Sequence, residues 1–374
     1  MTLRRLAVTT LLITSPSLHV PLFAQTSEPP SSEGKAGAAA DSTIMEFFPI
    51  IMYDTDVGFG TGGKAVFRNQ MGWRESFDLT LFLSTKGERW YRFAFSLPDA
   101  ELRQGTRYPL AVDFFVDYDK MIKNSFFGVG MGSSFEAREY YSKEPLEFNL
   151  AFSHGFSSSI VGTAGLRFMA IRNYGFEDNS ALKSLPPELN AGRAEFAAAF
   201  LQLRYDTRNS FINPASGYVV QIEYERAPAT SAWNVAFSKS SVTLQSYHSL
   251  FSPDIILAMR YLTTIINGED LPVQLLESVG GNKSLRGSPQ DRYLDHVASV
   301  VNAELRFPVY KRLAGVGAID AGRVFHSLSQ YNLSQWAVNP TVGLRLIMET
   351  FVVRLDVGLG KETTGVYFNF GQIF

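Results

Sequence analysis

From Val57 to the end of the chain, apolar residues recur at every second position and in short runs, which is the signature of strands rather than helices. Phe77, Leu79, Leu81 and Leu83 alternate with Asp78 and Thr80, and Tyr91, Phe93, Phe95 and Leu97 with Arg92, Ala94 and Ser96. Tyr218, Val220, Ile222 and Tyr224 are set off in the same way by Gln221, Glu223 and Glu225. One face of each segment is greasy and the other polar. The pattern predicts 16 strands, near 57–68, 74–85, 88–97, 108–117, 125–138, 145–153, 158–173, 193–206, 216–226, 234–248, 254–266, 297–308, 313–325, 338–348, 350–360 and 364–374. An even count and a repeat of roughly 20 residues, one membrane strand of about 10 plus its connection, fit a bacterial outer-membrane barrel. The expected fold is therefore all-β, a 16-stranded antiparallel transmembrane β-barrel. A soluble sandwich of that many strands would be hard to close without exposed edges.

Connection lengths bear on orientation, because such barrels have long outer loops, short periplasmic turns and periplasmic termini. Segments 98–107, 174–192, 267–296 and 326–337 are expected outside, and Lys86-Gly87, His154 to Ser157 and Glu349 inside, with 207–215 a long exception. Ahead of the barrel, Arg4 and Arg5 precede an apolar stretch from Leu6 to Ile13 and a cleavage point after Ala24, so residues 1–24 are expected to be a signal peptide. Residues 25–43, rich in Ser, Pro, Gly and Ala, are expected to form a flexible periplasmic leader, leaving 44–374 for the barrel. Past the signal, no apolar run reaches the roughly 18 residues of a membrane helix.

Composition narrows the chemistry. Lys+Arg 34 against Asp+Glu 36 leaves a net charge of −2, with no single-sign field to attract nucleic acid. The absence of cysteine excludes disulfides, thiolate metal sites and cysteine nucleophiles. Phe 30, Tyr 16 and Trp 4 are a heavy aromatic load, which a lipid-facing surface would use. Gly58, Gly60 and Gly63 spell G-x-G-x-x-G with Asp78 about 20 residues on, the spacing of a dinucleotide fingerprint. Lys64 to Arg68 continues as a strand, however, so a pyrophosphate would meet no helix N-terminus. Glycines there are better read as close backbone approach or a weakened seam. The five histidines, His19, His154, His248, His296 and His326, include no H-E-x-x-H pair, so no metal site and no cofactor are expected. Ser153 beside His154 raises a barrel phospholipase, but adjacency does not place a base against a nucleophile. The chain is not expected to be an enzyme.

The most informative stretch is 280–325. Gly280 to Ser288 lies in the longest connection, beyond ordinary loop lengths and therefore folded back or functional. In the strand that follows, Val301, Ala303, Leu305 and Phe307 are expected to face lipid, which turns Glu304 into the lumen; by the same parity Ile319 points out and Asp320 in. Two carboxylates facing one lumen repel unless a cation joins them, and a guanidinium has the fork to bind both.

Taken in order, the opening strand VGFGTGGKAVF, the YDTRNSFINPASG turn at 205–217, the GG…LRG loop at 280–287, NAELRFP at 302–308, AIDAGRVF at 318–325 and the terminal FNFGQIF make the chain similar to the BamA/TamA-like bacterial surface antigen superfamily of outer-membrane assembly and translocation barrels. The resemblance implies that Arg286, with Gly287, inserts into the barrel and pairs with Glu304 and Asp320. It also implies a weak seam between first and last strands, in which Gly58 and Gly60 loosen one edge and Phe370 and Phe374 form the C-terminal signal of the other. Two positions depart from the family: Ser288 stands where an aromatic usually follows the arginine–glycine pair, and Ala318 where one precedes the aspartate. The periplasmic receptor domains of about 75 residues that relatives usually carry have no room between Ala24 and Ile44.

The implied work is assisting insertion or passage of proteins or lipids at the bacterial outer membrane. The implied partners are outer-membrane lipids and either protein clients or separate periplasmic proteins, and not nucleic acid. The alternative is a passive pore or structural barrel without insertase activity.

Overall fold

The computed structural model describes residues 43–54, 58–185, 192–348 and 352–374. The expected signal segment and the leader as far as residue 42 lie outside these, as do Val57 and Glu349. The chain opens with β1 (Ile44–Asp54) and β2 (Gly58–Arg68), followed by β3 (Ser76–Ser84), β4 (Arg89–Leu97), β5 (Tyr108–Phe126), β6 (Glu139–Gly155) and β7 (Ile160–Tyr174). Next come β8 (Arg193–Asp206), β9 (Gly217–Ala227), β10 (Phe237–Ser249) and β11 (Ile256–Asn267). Two short strands, β12 (Glu277–Val279) and β13 (Tyr293–Asp295), form a separate ladder inside the longest connection. The main sheet resumes with β14 (Val297–Tyr310) against β11, then β15 (Leu313–Phe325), β16 (Ala337–Ile347), β17 (Val352–Leu359) and β18 (Thr364–Phe370). Sixteen strands thus make one antiparallel sheet in chain order, with β1 and β18 at its two ends, the architecture of an outer-membrane β-barrel. No helix among the described residues is long and apolar enough to cross a membrane.

The side chains are arranged inside out. On β9, Tyr218, Val220, Ile222 and Tyr224 are exposed, whereas Glu223 and Glu225 on the opposite parity are buried. The reason is the solvent: lipid takes the apolar face, and the acids turned inward need cations. Arg167 of β7 supplies one, 2.8 Å from Glu225 and 3.1 Å from Glu147 of β6.

The observed strands differ from the sequence pattern at both ends and at one place between. Ile44–Asp54 is a strand that period two does not announce, because Phe47, Phe48, Ile50, Ile51 and Met52 are apolar on both parities and Pro49 interrupts them. Proline is tolerated because this is the end strand of the sheet, with one flank unpaired in the sheet order. Conversely, the separate strand expected over 125–138 is absent: Ser125 and Phe126 are the end of β5, and 127–138 is not a strand. Phe127, Val129 and Met131 alternate with Gly128, Gly130 and Gly132, but Gly128 and Gly130 have φ of 99° and 89°, and the segment turns after β5. The missed strand and the surplus one leave the total at sixteen. They also exchange two connections: 98–107 lies on the rim that carries both ends of the sheet, and 85–88 on the opposite rim. From β6 onward the expected sides agree.

Two consequences touch the predicted seam. The glycine strand is second rather than first: Gly58 and Gly60 belong to β2, paired to Asp54 and Met52 of β1. The last strand ends at Phe370, opposite Val353, because Gly371 with φ 80° turns the chain out of the ladder. Phe374 is accordingly not on a strand. It is buried beside Tyr247 and Ala258, between the guanidinium groups of Arg260 and Arg306 at 5.2 and 5.5 Å from its ring, and Arg306 donates to its main-chain oxygen.

Candidate functional site

The connection 268–296 is held to the inner face of the barrel along its length. Leu271 joins Phe196, Phe237 and Ile266 in an apolar cluster, and Val279 and Leu285 pack on Ala298, Val300 and Val324 of β14 and β15. Between β12 and β13 the backbone turns sharply. Gly280, Gly281 and Gly287 all take positive φ (143°, 79° and 95°), conformations that a side chain would strain, and Ser284 closes the turn by donating to the Gly280 carbonyl at 2.6 Å.

Arg286 stands at the tip, with no solvent-exposed surface. Its Nε and Nη2 donate to the two oxygens of Asp320 at 2.7 and 2.8 Å, the bidentate geometry a guanidinium fits. Nη1 donates to Glu304 at 2.8 Å and to Asp356 at 3.0 Å. One side chain therefore ties together β14, β15 and β17. Burial alone would lower the pKa of Arg286, but the Asp320 hydrogen bonds and the charges of Glu304, Asp320 and Asp356 override it and raise the value above the ordinary arginine range.

The acids have further partners. Arg345 of β16 contacts Asp356 at 2.6 Å and Glu304 at 3.3 Å, Arg306 contacts Glu304 at 2.9 Å, and Arg354 approaches Asp356 at 3.6 Å. Asn302 donates to Asp320 and to the Ser284 carbonyl, joining the wall to the loop.

The loop backbone is gripped as closely as its side chain. Asn339 donates to the Arg286 carbonyl (2.9 Å) and to Ser288 Oγ (3.0 Å). Gly287 N donates to the Tyr367 hydroxyl at 3.0 Å, and Thr363 Oγ1 donates to the Gly287 carbonyl at 2.6 Å. Contact this close requires glycine on the wall. A Cβ on Gly358 would lie 2.4 Å from the Arg286 carbonyl carbon and from Gly287 N, and one on Gly360 would lie 2.5 Å from the Gly287 oxygen. Ser288, where the family usually has an aromatic, is thus a hydrogen-bonding partner of β16, and Ala318 lies buried in the inner face.

Of the residues singled out in the sequence, Arg286, Gly287, Glu304 and Asp320 meet at this site. Gly58 and Gly60 lie in β2, whereas Phe374 sits near the opposite rim among Arg260, Arg306 and Tyr247. Asp356, Arg345, Asn339, Gly358 and Tyr367 were not singled out. Asp356 carried the same signal as Glu304, an acid on the polar parity of a greasy strand between Leu355 and Val357. The glycines carried none, since what approaches them is fixed by the tertiary fold. The other sequence candidates separate. Asp78 pairs with Lys64 at 2.7 Å in the sheet. Ser153 is buried against Arg103 and Tyr108, whereas His154, half-buried on the other face, contacts the Pro109 carbonyl.

Comparison with known proteins agrees with this architecture. The model of the Omp85 superfamily domain matches residues 59–374. BamA from Haemophilus ducreyi, in a structure lacking its POTRA domains 1–3, superposes with a TM-score of 0.62 at 12% identity, over 88% of this chain and 69% of that one. CdiB from Escherichia coli gives 0.62 at 14% identity over 88% and 67%, and CdiB from Acinetobacter baumannii 0.54 at 13% over 88% and 65%. No curated protein matches the chain by sequence. At such low identity the solved structures speak for the fold alone, but the family model covers nearly all the strands and the whole arginine-bearing loop, and on that match the chain is an outer-membrane barrel of the Omp85 superfamily.

Proposed function

We propose that the barrel assists insertion or passage of proteins or lipids at the outer membrane, and that the 268–296 loop is its lumenal closure, fastened by Arg286. The observation that carries this reading is one buried guanidinium shared among carboxylates of three strands. A passive pore gains nothing from concentrating so much charge on a single removable loop, whereas a closure needs one attachment that can be released as a unit. The ends of the sheet fit the same purpose. β1 contains Pro49, and β18 is only seven residues long, so the edges that meet at the seam offer a short, interrupted row of backbone partners. Outer-membrane lipids are the immediate partners, and the candidates for cargo are barrel proteins or lipids brought by periplasmic proteins.

The test is reconstitution of the purified protein into liposomes, followed by addition of a second, unfolded outer-membrane barrel. Acceleration of that barrel's folding over empty liposomes is expected. Ion conduction without acceleration would overturn the proposal in favour of a passive pore.

A further inference from the structure

At the outer rim, thirty residues of sequence apart, two histidines and an aspartate are brought together by the β14–β15 ladder. Val297 and Phe325 are paired in register, so His296 and His326 face each other one step beyond the last pair. Their rings lie 4.7 Å apart at 78°. Asp295, the last residue of β13, places Oδ1 3.1 Å from His296 Nδ1 and 3.5 Å from His326 Nδ1, and the ligand atoms of all three residues lie within 4.8 Å of one another. We propose that Asp295, His296 and His326 form a divalent transition-metal site, of the Zn2+ class, that clamps the return of the 268–296 loop to the exit of β15.

Distance is the first argument. Bonds of about 2.0–2.2 Å at tetrahedral angles separate neighbouring donors by roughly 3.3 Å, and the two measured separations straddle that value. Donor chemistry is the second, because two imidazoles and one carboxylate suit Zn2+, Ni2+ or Cu2+ and offer too few oxygens for Ca2+ or Mg2+.

A third argument comes from what the carboxylate lacks. Asp295 is largely buried, yet among the described residues no lysine or arginine reaches it. Apart from the His296 backbone N–H, its Oδ1 contacts are the two imidazole nitrogens. A buried carboxylate oxygen with two imidazole nitrogens turned toward it, and no other side-chain cation of the described residues within reach, is the arrangement that one metal ion between the three groups completes. The side chain of His326 is 70% exposed, so the fourth coordination position is open to water.

The experiment uses the untagged full chain folded in detergent micelles and titrated calorimetrically with ZnCl2. One Zn2+ per chain is expected, and His326→Ala should weaken binding by more than about 100-fold, the upper end of what losing even an outer-shell partner costs. Asp295→Asn should do the same, whereas His248→Ala, on β10, should leave binding unchanged. Heat-modifiable mobility on gels confirms that each variant folds. Stoichiometric Zn2+ should also slow proteolysis of the loop in the wild type but not in His326→Ala. The site is overturned if the wild type takes up no stoichiometric Zn2+, or if both His326→Ala and Asp295→Asn bind it unchanged. The clamp is overturned if Zn2+ binds and proteolysis does not respond.

Discussion

Two parts of this barrel wall carry glycines at alternate positions, β2 with Gly60 and Gly62 and β17 with Gly358, followed by Gly360, but different things occupy the space beside them. Against β2 the visitor to Gly60 is the ring of Phe82 on the neighbouring strand, whose Cζ would lie 2.2 Å from an added Cβ. Against β17 the visitor is the backbone of Arg286 and Gly287. A ring edge can rotate away, whereas a main chain held by Asn339, Tyr367, Thr363 and Asp320 cannot. Gly60 therefore reads as side-chain packing and Gly62 as close approach of the neighbouring β3 backbone at Leu81, whereas Gly358 and Gly360 read as a seat made for the loop.

The sharpest way to break this contrast is Arg286→Ala. Removing the cation leaves Glu304, Asp320 and Asp356 buried on the loop side, and stranding one side of a buried charge cluster typically costs about 3–5 kcal/mol. The expected result is a barrel that still shows heat-modifiable mobility, with a protease-sensitive 268–296 segment and raised conductance. Gly358→Ala comes next. Its Cβ meets backbone that cannot step aside, an overpacking worth about 1–3 kcal/mol, and limited proteolysis should detect partial release of the loop. Tyr367→Phe deletes the acceptor of the Gly287 N–H and should weaken docking by about 1 kcal/mol, measured as a modest rise in the same cleavage rate. Gly60→Ala should be smallest. The displaced Phe82 ring is offset by the roughly 0.5–1 kcal/mol by which alanine is favoured over glycine in a strand, so thermal unfolding and loop cleavage should both match the wild type. Loop release by Gly60→Ala would erase the distinction between the two walls.

How much of this was legible in the sequence follows from which forces are local. Alternation is local, so β2–β11 and β14–β18 could be placed, although β5 runs on to Phe126 where the pattern stopped at 117, and β6 begins at Glu139 rather than at 145. Glu304 and Asp320 stood out because a charge on the polar parity of a greasy strand has one place to go. β1 was hidden because an edge strand with Pro49 and apolar residues on both parities has no period. The segment after β5 misled because glycines mimic the small residues of a polar face while freeing φ to turn the chain. Phe374 misled for a similar reason, as a single glycine at 371 redirects the last residues toward Arg260 and Arg306. The grip on the loop from Asn339, Gly358 and Tyr367 depends on which strand ends up beneath residue 287, and the histidine pair at the outer rim depends on the β14–β15 register; neither is written in any one segment.

The spread of the three acids over β14, β15 and β17 has a consequence for how the barrel is built. In a strand, sliding by one residue sends every side chain to the opposite face, so a β17 misaligned by one against β16 would turn Asp356 and Arg354 to lipid and bring Leu355 inward. An arginine facing lipid at mid-depth costs about 2–4 kcal/mol, but the larger effect is that Arg286 would find one of its acceptors missing. Only the native alignment presents all three carboxylates to one guanidinium. On the proposed closure, the loop would dock only on a wall assembled in its native alignment, and a misaligned barrel would stay open.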